Sequence, residues 1–391
     1  MPAPASGRLR GLDLPPGDDF IAALDAAWDN GDAVLPLDPR APRAVTDRLV
    51  AAMRLDQPVD DGVALVIATS GSTGEPKGAQ LSHAALEASA RATHARIGLE
   101  PNDRWLSCLP WQHIGGLQVM LRARLLGIPL TVHERFEVDA VTASPATLVS
   151  LVPTQLLRLL DAGVDLRRFR AILLGGAAAS PALLDRARDA GAAVVTTYGM
   201  SETAGGCVYD GRPLDGVEVT IADDGRIRIR GPVVMTGYRL RPDLTAEVLS
   251  SDGWLTTGDL GEIAPDGRLA VKGRADDVIV SGGENVVAAE VAGVLAGHPD
   301  VVEVVVTGVL DEHWGQRVVA VLVARGERAP SLSELREFCA GRLPQAATPR
   351  GLVVVDELPR LPSGKPDRLA VLRLAQATPA NSQSADPGSR S

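Results

Sequence analysis

From Val63 to Thr197 short apolar runs alternate with helical stretches, and no other feature of the chain constrains its fold as much. Val63–Ala68 suits a buried strand, and a Gly-rich loop follows it. Ser82 can cap a helix running to about Ile97, with Gly98 at its end. Trp105–Leu109 reads as a strand, Leu117–Leu126 as a helix and Thr147–Val152 as a strand. A helix over Thr154–Leu160 closes near Gly163, and Ala171–Leu174 is again a strand. The next helix has Ser180 at its N-cap, Pro181 at its first position and Gly191 just past its end. Ala193–Thr197 is a further strand. Such alternation predicts a largely parallel sheet covered by helices.

The flanks differ in character. Residues 1–60 are rich in Pro, Ala and Asp, hold only short apolar stretches such as Phe20–Trp28, and read as a helical preface. Beyond Gly205, Val217–Ile221 and Arg226–Arg230 flank Asp223-Asp224-Gly225, a hairpin signal, and short strands continue to Lys272. A second compact unit begins near Ala275. It offers a helix at Ala288–Ala296, strands at Val301–Val309 and Val318–Ala324, a helix opened by the capping pattern Ser331-Leu-Ser-Glu334, and a strand at Leu352–Val355. The expected fold is therefore a large α/β N-terminal domain over residues 1–274, mostly parallel sheet with helices plus a β-rich subdomain. A small α+β C-terminal domain over 275–377 follows, then a disordered tail over 378–391 that lacks hydrophobes.

Composition narrows the function. Hydrophobic residues make up 45% and charged residues 23%, the balance of a chain with a real core. A net charge of −10 argues against nucleic acid as the main partner, and no apolar stretch is long enough for a membrane span. The N-terminus has no apolar run behind its positive charges and does not read as a signal peptide. Cys108, Cys207 and Cys339 form no CxxC pair, so the expectation is a cytoplasmic protein with neither disulfides nor zinc. Of 39 Lys and Arg residues only Lys77, Lys272 and Lys365 are lysine, which makes them candidates for places where a compact ammonium matters, chance survival being the alternative for any one of them.

Lys77 closes the strongest motif, Ala68-Thr69-Ser70-Gly71-Ser72-Thr73-Gly74-Glu75-Pro76-Lys77-Gly78. Its glycines let backbone N–H groups crowd an anion, its hydroxyls add donors, and Lys77 adds charge. It is not a Walker A loop, because Lys77 follows Pro76 and precedes Gly78. The segment resembles the phosphate loop of the adenylate-forming superfamily, which comprises acyl-CoA ligases, luciferases and the adenylation domains of peptide synthetases. Further motifs of that superfamily follow in order. Thr197-Tyr-Gly199-Met-Ser-Glu-Thr203 resembles its adenine and metal segment, which implies that Tyr198 stacks on adenine, Thr203 lies near the phosphates and Glu202 holds Mg²⁺. Asp252–Asp259 resembles the ribose motif, with Asp259 accepting from the ribose hydroxyls. Leu269–Val280 resembles the interdomain hinge, with Arg274 on the nucleotide and Asp276 as pivot. Ser281-Gly-Gly-Glu-Asn285 resembles the loop lining a pantetheine tunnel, where Gly282 leaves room for the thiol arm. Leu361–Arg368 resembles the segment bearing a catalytic lysine, so Lys365 would bridge the substrate carboxylate and the α-phosphate.

The resemblance implies an acid:CoA ligase using ATP, Mg²⁺ and coenzyme A. A carboxylate attacks the α-phosphate of ATP to give an acyl-adenylate. The small domain then rotates about Asp276, and CoA thiolate displaces AMP. Pro110–Gly116 matches a superfamily position that puts His113 between nucleotide and acyl pocket; a packed core histidine is the alternative, and its place in the motif favours the site role. Gly175 and Gly176 would line the same pocket. Arg122 and Arg124 sit on an otherwise apolar helix, where a cation is costly unless paired. An exposed face or a salt bridge explains either one; the functional reading is that Arg122 meets a second carboxylate of the substrate. Within the superfamily the pattern is most similar to ligases of an aromatic diacid. Only about 68 residues precede the loop here, where the superfamily has some 100 more. Ligases of other aryl or fatty acids, loading of a carrier protein, and a non-catalytic nucleotide-binding protein remain the alternatives, and a homodimer is compatible with the sequence.

Overall fold

A computed structural model describes residues 7–70, 76–326, 328–360 and 366–377. The tail expected over 378–391 lies outside the described residues. The chain divides into two compact units, the smaller comprising Ser180–Ala182, Gly258–Glu262 and Val271 onward.

The larger unit opens with β1 (Leu9–Asp13), α1 (Asp18–Asp29), β2 (Ala33–Leu37) and α2 (Arg43–Met53). The helical preface is thus a βαβ unit, with β1 and β2 parallel from Leu9↔Ala33 to Asp13↔Leu37. Every residue of β2 is buried. Pro36 disguises this strand in the sequence; it pairs with Leu12 of β1, and on the β3 side β2 has a single register pair, Val34↔Leu65, so few ladder bonds exist there for the proline to break. Next come β3 (Val63–Ser70), β4 (Pro76–Ser82) and α3 (His83–Ile97). Ser82 Oγ accepts from Ala85 N–H at 3.1 Å and Gly98 takes φ 67°, so both expected ends of α3 are formed.

The alternating region contains β5 (Trp105–Ser107), α4 (Ile114–Leu125), β6 (Leu130–Val132), α5 (Val138–Ala143) and β7 (Leu148–Leu151). It continues through α6 (Pro153–Asp161), β8 (Ala171–Leu174), α7 (Pro181–Asp189) and β9 (Val194–Met200). After it come β10 (Gly205–Tyr209), β11 (Arg212–Pro213), β12 (Glu218–Ile221), β13 (Arg226–Arg230) and β14 (Gly237–Tyr238). The last elements are α8 (Pro242–Val248), β15 (Leu255–Ile263) and β16 (Leu269–Arg274).

The largely parallel sheet expected is formed as the seven-stranded sheet, and a second, five-stranded mixed sheet accompanies it. One has the order β1-β2-β3-β4-β14, the other β11-β10-β9-β8-β7-β5-β6. Strands β6, β5, β7, β8 and β9 are parallel, and β10 and β11 join antiparallel. A third sheet, β12-β13-β15-β16, includes the expected hairpin, paired from Glu218↔Arg230 to Ile221↔Ile227. Leu65, Ile67 and Leu81 of the first sheet pack with Leu86 of α3 and with Leu117, Met120 and Leu121 of α4. The other side of α4 packs Val119 and Ala123 with Trp105 and Leu148 of the second sheet. Every residue from Gly116 to Ala123 is buried, so neither Gln118 nor Arg122 can reach water.

The smaller unit contains β17 (Val278–Ser281), β18 (Glu284–Val287), α9 (Ala288–Leu295), β19 (Val301–Asp311) and β20 (Gly315–Ala324). It ends with α10 (Leu332–Cys339), β21 (Gly351–Val354) and α11 (Arg368–Ala377). β19 and β20 form a long hairpin with Val, Leu and Ala on its inner face, and β21 lies parallel to β20. At α10, Ser331 Oγ accepts from Glu334 N–H and Glu334 Oε2 accepts from Ser331 N–H, the reciprocal box expected from sequence. No helix among the described residues is long and apolar enough to cross a membrane.

Candidate active site

In the larger unit His113, Gly175, Gly176 and Glu202 follow the carboxyl ends of β5, β8 and β9 in the chain, the ends at which ligands of open α/β sheets bind. Glu202 sits in a one-turn 3-10 segment, Ser201–Thr203, between β9 and β10. Its carbonyl accepts from Met235 N–H at 2.8 Å, and its Oε1 accepts from the Tyr238 hydroxyl at 2.7 Å. Thr203 is fully buried; its Oγ1 accepts from Met200 N–H at 2.9 Å and donates to Gly205 O at 2.8 Å. The resemblance puts Thr203 beside the phosphates, whereas here its hydroxyl is committed to bracing the turn that carries Glu202.

Lys77 approaches the same place from β4. Antiparallel pairing sets it opposite Thr69, whose Oγ1 donates to Lys77 O at 3.4 Å, and sets Ser70 opposite Pro76. The Lys77 ammonium lies 5.5 Å from the centroid of the Tyr238 ring. Lys77, Tyr238 and Glu202 therefore form a row of cation, aromatic hydroxyl and carboxylate. Gly71, Ser72, Thr73 and Gly74 lie outside the described residues. Tyr238 carries no motif signal and was not legible in the sequence, since only the pairing of β14 with β4 brings it to Glu202.

Close approach explains the glycines. A Cβ on Gly175 would overlap Thr197 Oγ1, which donates to Leu174 O at 3.3 Å. Gly176 takes φ 79° next to Val152. A Cβ on Gly199 would overlap the carbonyl of Gly205 on the adjoining strand. Tyr198, half-buried on β9, packs against the core between α4 and the second sheet.

His113 occupies the N-cap position of α4 and is half-buried. Its neighbour Gln112 donates from Nε2 to Asp38 Oδ2 at 3.2 Å. Burial opposes ionisation of Asp38, but hydrogen bonds from the Arg40 side chain and backbone, with the His113 charge nearby, hold its carboxyl below the usual range. Asp38 and Arg40 belong to the segment read as a mere preface.

The two arginines of α4 have separate fates. Arg124 pairs with Asp25 at 2.5 Å and lies over the Trp28 ring, which is the bland reading. Arg122 is 4% exposed, and its Nε and Nη1 are buried without a hydrogen-bond partner. Its guanidinium lies 5.4 Å from the Trp105 ring centroid. Trp105 Nε1–H donates to His94 Nε2 at 3.1 Å, and His94 Nδ1–H donates to Ala90 O at 2.9 Å. Burial lowers the pKa of His94, so this neighbour is neutral. Burial also lowers that of Arg122, and among the described residues no carboxylate pairs with it.

In the smaller unit Asp259 Oδ1 pairs with Arg274 Nη1 at 3.2 Å, and Arg274 Nη2 lies 3.5 Å from Asp276. A Cβ on Gly258 would come within 2.7 Å of that guanidinium, so glycine gives Arg274 its seat. Gly282 and Gly283 take φ 60° and 84° as the two-residue turn of the β17–β18 hairpin. The Trp314 ring lies 3.1 Å from where a Cβ on Gly282 would stand. Lys272 pairs with Glu262 at 2.9 Å and Glu290 at 3.6 Å, so this lysine is structural. Lys365 lies outside the described residues.

No cluster of three or more His, Cys, Asp or Glu that could cage a metal occurs among the described residues. Glu202 alone fits Mg²⁺ that arrives with nucleotide, which takes one or two carboxylates plus phosphate oxygens. Burial pushes the Cys108 and Cys207 thiols up to about 12, so neither is a nucleophile at neutral pH.

Residues 38–239 match the AMP-binding enzyme family, and residues 290–365 match the AMP-binding enzyme C-terminal domain. The chain is 42% identical over 385 residues to a probable 2-succinylbenzoate–CoA ligase of Mycobacterium tuberculosis, covering 93% of this chain and 98% of that one. The match thus spans nearly the whole of both chains. Among solved structures it is similar to the o-succinylbenzoate CoA synthetase MenE of Bacillus subtilis in complex with the acyl-adenylate intermediate OSB-AMP. That match has a TM-score of 0.84 at 29% identity and covers 94% of this chain and 88% of that one. The same enzyme in complex with ATP and magnesium ion gives a TM-score of 0.84 at 29% identity, covering 94% and 90%. Lys77 and Tyr238 on the paired strands β4 and β14 with Glu202 bonded to Tyr238, and matches to both family regions in chain order, lead to one assignment: the chain belongs to the AMP-binding, adenylate-forming enzymes.

Proposed function

We propose that this enzyme is an ATP-dependent acid:CoA ligase that converts o-succinylbenzoate to o-succinylbenzoyl-CoA for menaquinone biosynthesis. The observation that carries the choice of acid is Arg122, a buried guanidinium with two unpartnered nitrogens. A buried cation of this kind needs an anion. A diacid brings one carboxylate to be activated and a second to be kept, and the kept one neutralises Arg122.

In the first half-reaction an oxygen of the other carboxylate attacks the α-phosphorus of ATP, and the bond to pyrophosphate breaks. Lys77 and the loop from Thr69 to Gly74 hold the phosphates, Tyr198 faces the adenine, and Asp259 accepts from the ribose with Arg274 beside it. Glu202 would hold Mg²⁺, which when bound would neutralise charge on the phosphates. Lys365 offsets the meeting of two anions at the α-phosphate. In the second half-reaction the CoA sulfur attacks the acyl carbon, the bond to AMP breaks, and Gly282 leaves room for the thiol arm. Gly175, Gly176, Gly199 and Thr197 keep the site's backbone close, and His113 stands between nucleotide and acid. Residues 1–274 are the adenylation core and 275–377 the lid, pivoting at Asp276.

The test is pyrophosphate release with Mg-ATP and CoA across o-succinylbenzoate, benzoate, a medium-chain fatty acid and several amino acids, with Lys365→Ala in parallel. Turnover with o-succinylbenzoate alone, lost in the variant, is the expected result. Turnover with another acid and none with o-succinylbenzoate refutes the choice of acid and keeps adenylation.

A further inference from the structure

Ala204 closes the turn that carries Glu202 and is one of four non-glycine residues with positive φ among those described, at φ 50° and ψ 35°. A residue with a Cβ disfavours this left-handed conformation, so something outside the turn must hold it. The structure has two such holders, both buried. Gln118 Nε2 donates to the Ala204 carbonyl at 2.8 Å, and Ser89 Oγ donates to the same oxygen at 2.9 Å. Gln118 comes from α4 and Ser89 from α3, so two helices converge on one carbonyl. Gln118 is fully buried, its Cγ stands 3.5 Å from where a Cβ on Gly205 would be, and its Oε1 is buried without a partner. A fully buried amide with one atom unpaired is costly in an otherwise apolar helix, and the clamp on Ala204 is what it achieves.

We propose that Gln118 is a positioning residue for Glu202: its amide holds Ala204 left-handed and thereby aims the Glu202 carboxylate. The chain of contacts is continuous. Ala204 N–H donates to Ser201 O at 3.2 Å and so closes the turn, and the φ and ψ of Ala204 set how that turn is angled onto β10. Glu202 lies inside that turn, tied at its carbonyl by Met235 and at Oε1 by Tyr238. If Ala204 relaxes, those two ties and the Thr203 hydroxyl brace are left to set where the carboxylate points. Gln118 also lies one helical turn before Arg122 on the same buried face of α4. The helix that receives the acid therefore also holds the turn that receives the metal. This inference rests on the reading of Glu202 as the Mg²⁺ carboxylate.

The test uses the full chain and Mn²⁺ as probe, titrated by electron paramagnetic resonance in the presence of α,β-methylene-ATP, so that no turnover enters the readout. Gln118→Leu keeps the volume and removes the amide. Its expected effect is Mn²⁺ affinity weakened about tenfold, the scale of one buried hydrogen bond. Ala204→Gly in the same chain recovers part of the loss, because glycine adopts φ 50° unaided. Ser89→Ala, a smaller change to the same carbonyl, weakens affinity in the same direction and serves if Gln118→Leu does not fold. Glu202→Gln separates the premises. If it leaves Mn²⁺ affinity unchanged, the metal reading of Glu202 falls and this inference falls with it. If Glu202→Gln loses affinity while Gln118→Leu and Ser89→Ala both stay within about twofold of the parent, less than half a kcal/mol, only the positioning role is overturned. A lowered melting temperature with unchanged affinity likewise reduces Gln118 to a packing residue.

Discussion

Replacing Arg122 by Met should move stability and catalysis in opposite directions. Arg122 is 4% exposed, buried at Nε and Nη1 without partners, and flanked by the neutral pair of Trp105 and His94. Its charge is desolvated, with the Trp105 ring 5.4 Å from the guanidinium carbon and no carboxylate partner among the described residues. Methionine fills a similar volume and carries no charge. Substituting apolar side chains for buried ionic ones is commonly neutral or stabilising by about 1–4 kcal/mol, and an uncompensated charge belongs at the favourable end. Binding of the diacid loses its partner, at about 2–5 kcal/mol, or roughly 30-fold to several-thousand-fold in kcat/KM. The assays are urea unfolding without ligand and steady-state kinetics with o-succinylbenzoate. A further sign is thermal: the diacid should raise the melting temperature of the parent and leave that of Arg122→Met unmoved. If Arg122→Met unfolds more easily than the parent and keeps its kcat/KM, the guanidinium is an ordinary packing residue and the choice of acid loses its basis.

Two predictions concern the scaffold that holds the site. Asp103 is buried, which opposes its ionisation, but hydrogen bonds from Arg170 at 2.5 and 2.9 Å, Glu100 N–H and Thr147 Oγ1 hold its carboxyl below the usual range. A depressed folded-state pKa gives stability that is present above the unfolded value, about 4, and is lost as pH falls through the folded one. Asp103→Asn should therefore cost about 2–4 kcal/mol near neutral pH, and urea unfolding should show the gap to the parent narrowing as pH drops below about 4. A gap independent of pH would refute the ionised pairing. Gly199→Ala forces a Cβ into the Gly205 carbonyl across the β9–β10 pair, so it should destabilise by about 3 kcal/mol and slow adenylation with it. A variant as stable as the parent in the same unfolding assay would show that β10 yields.

The sequence by itself determined what depends on neighbours along the chain. The ends of α3 at Ser82 and Gly98, the capping box of α10 and the Asp223–Gly225 hairpin are local devices, each complete within a few residues, and each formed where its residues stand. The order of the glycine-rich and acidic motifs gave the family for the same reason. What only the tertiary structure decided is which distant residues support them. Tyr238 lies 36 residues from Glu202, Gln118 lies 86 from Ala204 and Ser89 lies 115 from it, so no local pattern announces these partners. The preface concealed β1 and β2 because a short strand holding Pro36 becomes a strand only when β1 pairs beside it. Arg122 and Arg124 look alike in sequence, two residues apart on one helix. Two residues on a helix are a rotation of about 200°, which sends one to Asp25 and water and the other into a closed interior, and burial alone makes one of them a candidate for function.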